Sequence, residues 1–364
     1  MKNYIFTSES VTEGHPDKIC DYISDSILDE ALKIDTSSRM AIEATIKDEI
    51  IFIYGECHTN AELDYENIAK KCMKEIGYNE EYKVIIKVGQ QSLEIHDAVD
   101  KKDVIGAGDQ GIMFGFACNE TKAYMPAPIY YANLLAERLA YIQKQHLFLG
   151  PDGKTQVSVE YENDKVKRID TIIISTQHVE GVKYSELKKI LLNEVVYHVI
   201  PNELLDNETK YLINSSGSFI VGGSFGDSGT TGRKIICDTY GGVGRIGGGC
   251  LSSKDPSKVD RSAAYYCRYV AKNIVANKLA EKCEIQVSYA IGKPEPVSLY
   301  INTFNTNIIS EEEIMKIIQN NFDFRVSNII NELDLQRPIY RKTACYGHFG
   351  REIFPWENTK KLIM

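Results

Sequence analysis

The sequence predicts an α+β protein made of three related sheet-plus-helix domains. Two observations carry this. A β-rich hairpin pattern occurs three times, about 120 residues apart, in a chain of 364 residues. Each hairpin precedes a helical pattern that is apolar on one face, so each unit can cover one side of a sheet with helices.

Taken in order, Pro16–Leu32 places Ile19, Ile23, Ile27 and Ala31 on one stripe, an amphipathic helix with Pro in its first turn. Arg39–His58 is the first hairpin, two runs of β-branched and aromatic residues around Lys47-Asp48-Glu49. Ala61–Gly77 is its helix, with Leu63, Ile68, Cys72 and Ile76 inward. Ser92–Gly111 has few large apolar residues, carries Asp97, Asp100, Lys101, Lys102 and Asp103, and ends in GAGDQG, which predicts a long surface loop, of a length that marks either a functional lid or disorder. Gln156–His178 is the second hairpin, turning near Asn163-Asp164, and Tyr184–Ile200 is its helix, with Leu187, Ile190, Leu191, Val195 and Val199 inward. Arg261–Ala280 reads as a helix with Cys267, Val270, Ala271, Ile274 and Val275 inward. Glu284–Phe304 is the third hairpin, turning at Gly292–Glu295, and Ser310–Asn321 is its helix, opened by a Ser310–Glu313 capping box. The units divide the chain into an N-terminal domain (1–91), a loop segment with GAGDQG (92–111), a central domain (112–222) and a C-terminal domain (223–364).

Composition narrows the function. With 43% hydrophobic and 26% charged residues the chain is an ordinary folded protein. A net charge of -9 argues against a general nucleic-acid binder, because phosphate neutralisation needs a basic surface. No apolar run approaches membrane-helix length, so no membrane partner is expected. Nine scattered cysteines with no CxxC read as reduced thiols of a cytoplasmic enzyme.

The chemistry concentrates in Gly217–Gly249, which holds 12 of the 26 glycines. Arg233, Lys234, Arg245, Lys254, Lys258 and Arg261 lie in or just after it, against Asp238, Asp255 and Asp260, a local excess of about three positive charges. Glycine amides with several cations fit a polyphosphate site. No GxxxxGK[ST] occurs, and Gly242–Gly247, which matches GxGxxG, opens no helix as a dinucleotide fingerprint must. His15-Pro16-Asp17 fits either ordinary helix capping or an anion and Mg²⁺ site at a helix N-terminus. Asp260 before the Arg261 helix has the same two readings. Glu43 and Glu56, taken singly, are surface acids of a hairpin; Phe219 and Tyr240 are core aromatics or stacking platforms.

Longer stretches then decide. FTSESVTEGHPDKICDYISD (Phe6–Asp25), GAGDQGIMFG (Gly106–Gly115), MPAPIYYA (Met125–Ala132), GDSGTTGRKIICDTYGG (Gly226–Gly242), SKDPSKVDRSAAY (Ser253–Tyr265) and YGHFGREIFPWE (Tyr346–Glu357) resemble the S-adenosylmethionine synthetase (methionine adenosyltransferase) family over essentially the whole chain. The resemblance implies the pseudo-threefold α+β fold and a homodimer or dimer of dimers with active sites at the subunit interface. It implies transfer of the adenosyl group of ATP to the sulfur of L-methionine by in-line displacement of triphosphate, then hydrolysis of triphosphate to phosphate and diphosphate.

The resemblance also implies roles. His15 contacts triphosphate near the breaking bond; Lys154 (with Asp152, in PDGK), Arg233, Lys234 and Lys254 grip phosphates. Phe219 stacks on adenine, with Ser218 and Cys250 beside the nucleotide. Asp227 contacts nucleoside and methionine, and Glu56, Gln91, Asp109 and Lys258 complete the methionine pocket. Asp17 and Asp260 hold two Mg²⁺ per site, Glu43 holds one K⁺, and residues around Gln91–Lys101 form a mobile gate. The chain departs from the family pattern at Ser218 (usually Arg or Lys), Ile246 (usually His), Cys250–Ser253 (usually Ala-Phe-Ser-Gly) and Gln91–Ile95 (QSLEI for QSPDI). Those departures motivate one alternative, a weakly catalytic nucleotide-binding regulatory homologue.

Overall fold

The computed structural model describes residues 3–90, 100–101 and 104–364. Thirteen strands are assigned among them. They are β1 (Asn3–Val11), β2 (Arg39–Lys47), β3 (Ile50–His58), β4 (Lys83–Gln90), β5 (Asp100–Lys101), β6 (Val104–Ile105), β7 (Gly111–Cys118), β8 (Leu149–Glu162), β9 (Lys165–His178), β10 (Lys210–Ile213), β11 (Gly229–Thr230), β12 (Lys282–Tyr289) and β13 (Ser298–Asn302). The main helices are α1 (Pro16–Ile34), α2 (Tyr65–Ile76), α3 (Ala127–Gln143), α4 (Tyr184–Ile190), α5 (Val259–Ala276), α6 (Glu311–Asn321) and α7 (Val326–Glu332).

All three hairpins form: β2 with β3, β8 with β9, and β12 with β13. Asn163 and Asp164 both take positive φ, 53° and 60°, as the tight turn between twisted strands demands. The three sheets run β11-β2-β3-β4, β1-β8-β9-β10 and β13-β12-β7. In each, the first hairpin strand pairs antiparallel with a strand from elsewhere in the chain: β11, β1 and β7 respectively. The amino-terminal stretch thus lends a strand to the second sheet, residues 111–118 lend one to the third, and residues 229–230 lend one to the first. This cyclic exchange realises the predicted pseudo-threefold arrangement.

Helices cover one face of each sheet: α1 and α2 the first, α3 the second, α5 the third. Gly115 on β7 lets α5 approach, since a Cβ there would lie 2.0 Å from the Cys267 carbonyl carbon. The second sheet has its own core around Val157, Ile172, Ile174, Leu135 and Leu191; the other two share one continuous core.

Several expectations need correction. The first covering helix starts at Tyr65 rather than Ala61, because Asp64 caps it by accepting the Asn67 amide. The segment 184–200 is not one α-helix: Leu191–Val196 is a π-helical stretch. The helix predicted to reach Ala280 stops at Ala276, where Lys278 turns left-handed (φ 61°). Helix α3 was not expected. Its buried Ile129, Ala132, Leu135, Ala136 and Leu139 share one face, with Ala127, Asn133, Ala140 and Gln143 also buried. GAGDQG is no free loop: Gly106 and Ala107 are buried, and Ala107 exchanges backbone hydrogen bonds with Gly292 and Lys293. All nine cysteines are free.

Candidate active site

His15 is the N-cap of α1, with Pro16 at the first helical position. Its Nδ1 accepts the Asp17 amide hydrogen (3.2 Å), so the neutral ring carries its proton on Nε2. Burial and the nearby Lys234 and Lys154 ammonium charges lower the imidazole pKa to about 3. The ring is therefore neutral at physiological pH.

Asp17 is buried. One oxygen accepts the Thr230 amide at 3.0 Å and lies 3.4 Å from Arg233 Nε; the other takes the Lys234 ammonium. Burial alone raises its pKa, but the Lys234 and Thr230 hydrogen bonds outweigh this and hold it below the usual carboxylate value. Strand β11 reaches this point because Gly229 has no side chain: a Cβ there would sit 2.1 Å from the Pro16 carbonyl oxygen.

Lys154 is exposed on β8, opposite Val11. Two residues earlier, buried Asp152 accepts the Gly223 amide at 2.8 Å. Burial raises its pKa to about 6 against the pull of that amide and of Lys154; the Asp227 charge adds to the rise. Asp227 is exposed and accepts the Ser228 amide at 2.8 Å. Phe219 is half-buried, with its amide 3.2 Å from His178 Nε2; neighbouring Ser218 lines a cavity of about 420 Å³ with Tyr184, Asn214 and Ser215.

A second group of charges lies beside the first. Lys254 forms a bridge with Ala41 on β2, and its ammonium is 2.5 Å from Asp260. Asp260 sits inside the first turn of α5 and is not the N-cap, which is Lys258. Lys258 pairs with buried Asp255. Cys250 is half-buried; burial raises its thiol pKa, Lys254 opposes this, and Glu43, Asp21 and Asp260 add to it, which puts Glu43 in the same electrostatic neighbourhood. Glu56 is exposed on β3 opposite Ala41. Asp109 is exposed, and its neighbour Gly108 donates to the Ser257 carbonyl (3.3 Å), next to Lys258. Gln91 lies outside the described residues. Tyr240 is core, stacked on Phe349 at 4.9 Å. The Gly242–Gly247 loop opens no helix; the next long one starts at Val259.

Sequence reasoning missed Thr230, whose amide orients Asp17, and Tyr78, whose hydroxyl donates to the Gly14 carbonyl at 2.8 Å just before His15. No sequence pattern marks either.

Among the described residues, no group of three His, Cys, Asp or Glu side chains gathers as a metal cage. Asp17 and Asp260 are both paired with cations, so acids and bases alternate beside the glycine-rich segment. Such an arrangement can exchange its internal partners for a polyanion and hard cations.

Comparison with known proteins identifies the family. Residues 3–102, 104–219 and 221–358 match the N-terminal, central and C-terminal domains of S-adenosylmethionine synthetase. An S-adenosylmethionine synthase from Syntrophobacter fumaroxidans (strain DSM 10017 / MPOB) is 51% identical over 375 aligned positions, covering 99% of this chain and 96% of that one. With matches to all three domains and half its residues shared along nearly its full length, the chain belongs to the S-adenosylmethionine synthetase family.

Proposed function

We propose that the chain transfers the adenosyl group of ATP to the sulfur of L-methionine by in-line displacement of triphosphate, then hydrolyses the triphosphate to phosphate and diphosphate. The observation that carries this is the gathering of Arg233, Lys234 and Lys154 around His15 and Asp17 at one helix N-terminus. A thioether has no proton to lose, so the reaction needs no base. It needs alignment of sulfur with the ribose 5′ carbon, and stabilisation of charge growing on the leaving triphosphate. His15, neutral with its proton on Nε2, donates a hydrogen bond to the leaving oxygen. Lys154, Arg233, Lys234 and Lys254 balance the phosphate charge, the last two by leaving Asp17 and Asp260 for phosphate oxygens.

Asp17 and Asp260, once freed from their cations, are the hard oxygen donors that would hold Mg²⁺. Two Mg²⁺ per site, when bound, supply further charge neutralisation on the triphosphate. Glu43 serves K⁺. Phe219 stacks on adenine beside Ser218 and Cys250, and Asp152 holds the turn before Lys154. Glu56, Gln91, Asp109, Asp227 and Lys258 bind methionine.

A second copy of the chain covers the outer face of the first sheet, in a homodimer or dimer of dimers. Ile50, Phe52 and Ile85 are exposed there, and Glu43 and Glu56 share that face, which supports a site completed at the interface. The residues around Gln91–Lys101 serve as a gate over the site, and the domains span 1–91, 112–222 and 223–364, with GAGDQG in the linking segment 92–111. Free cysteines support a cytoplasmic setting, and no helix among the described residues is long and apolar enough to cross a membrane.

Asp17→Asn and Lys154→Met are expected to fold normally and lose turnover by roughly 100-fold or more. Full activity in either would overturn the site. A regulatory homologue would bind ATP and form no product.

A further inference from the structure

Helix α1 carries a second pattern beside its apolar stripe. Asp17, Asp21, Asp25 and Asp29 recur every fourth residue, hence along one face. All four are buried. Buried acids persist only with partners, and each of these has one from a different part of the chain. Asp17 accepts the Thr230 amide at 3.0 Å. Asp21 accepts the Gly232 amide at 2.8 Å with Oδ1 and the Lys18 ammonium at 2.9 Å with Oδ2. Asp25 accepts the Ser253 amide at 2.9 Å and holds Arg261 through both oxygens at 2.8 Å. Asp29 accepts the Tyr340 and Arg341 amides at 2.9 Å.

The positions of those partners are the informative part. Gly232 immediately precedes Arg233 and Lys234. Ser253 immediately precedes Lys254, and Arg261 immediately follows Asp260. Asp21 therefore fixes the backbone one residue before Arg233 and two before Lys234, while Asp25 fixes the backbone one residue before Lys254 and holds the side chain of Arg261, the neighbour of Asp260. A helix is stiff, so clamps one turn apart on it hold those loops at set distances from His15 and Asp17 at its N-terminus.

We propose that Asp21 and Asp25 are positioning residues for adenosyl transfer, registering the Arg233-Lys234 loop and the Lys254–Asp260 loop on α1 so that their charges converge on the triphosphate. Neither touches a reacting atom. The inference rests on the site reading above and deepens it.

Asp21 allows a clean test. Lys18 pairs with both Asp21 and Asp238, so removing the Asp21 charge leaves a balanced buried pair. Asp21→Asn keeps an oxygen for the Gly232 amide. Asp21→Leu has a similar shape and none. Both lose the charge, but only Leu also leaves the Gly232 amide without its acceptor, so a role in charge balance alone predicts equal effects. Positioning predicts that D21L, still folded by circular dichroism, loses about tenfold or more in kcat with methionine KM within about twofold, while D21N stays within about threefold of wild type. Equal kcat losses in D21N and D21L, or wild-type kcat in D21L, would overturn it. If D21L does not fold, Asp21→Ala takes its place in the same comparison with the same criteria. Lys234→Met is assayed alongside: full turnover there refutes the phosphate site, whereas an inactive K234M with a fully active D21L refutes the positioning role alone.

Discussion

Ser253 holds a left-handed backbone, φ 79°, and is buried with its hydroxyl unpartnered. It stands where the family pattern has glycine, and the positive φ gives the reason for that preference. The conformation is kept by the Ser253 amide bond to Asp25, which sets up Lys254. Ser253→Gly is expected to raise stability by about 0.5–2 kcal/mol, offset in part by the more flexible unfolded chain, as read by urea denaturation. A destabilised variant would contradict this. Ile246, another departure, lines a small niche with Ile112, Phe114, Leu251 and Ala264, which give an aliphatic side chain apolar neighbours although Thr239 and Asp260 line it too. The cationic site residues were legible because their charge runs against the sign of the whole chain. Thr230 and Gly232 were not, because they act through backbone amides, which any residue type but proline supplies.

Helix α1 shows how an element can be found and half understood. Its apolar stripe was visible in sequence. The fourfold spacing of its acids carries no mark of burial, and only the structure shows both faces covered. Asp29, the last of the four, bears on pH. Burial raises its pKa to about 6, despite the two amides it accepts. Between the ordinary carboxylate value of 3.8 and about 6, the folded chain binds this proton more tightly than the unfolded one. Its contribution is thus complete at low pH and lost as pH rises through 6. Asparagine cannot ionise, so the stability of Asp29→Asn relative to wild type should improve by roughly 1–2 kcal/mol from pH 5 to 7.5. Denaturation curves that keep a constant offset across that range would refute the assignment. Helix α3 escaped notice because small and polar residues, Ala127, Asn133, Ala140 and Gln143, are buried along with its apolar face and blur the contrast. The π stretch 191–196 leaves no compositional mark.

At the scale of the molecule, repeat structure was legible because each hairpin and its helix are neighbours in sequence. The cyclic strand exchange was not: β1 pairs with β8 about 150 residues away, and β11 is only two residues long. The exchange also explains why the site assembles, since β11 brings the Arg233-Lys234 loop to the start of α1. The outer face of the first sheet is open in a single chain. Phe52→Lys, placing a charge on that face, is expected to leave the fold intact, shift the assembly toward monomer by sedimentation, and reduce turnover with it. A fully active monomer would show that each chain holds a complete site. The central claim is that the gathered charges drive expulsion of the whole triphosphate. It is tested most directly by incubating the protein with ATP, methionine, Mg²⁺ and K⁺ and quantifying S-adenosylmethionine, phosphate and diphosphate together. The account predicts equal amounts of all three; ADP, or phosphate and diphosphate with no S-adenosylmethionine, would contradict it.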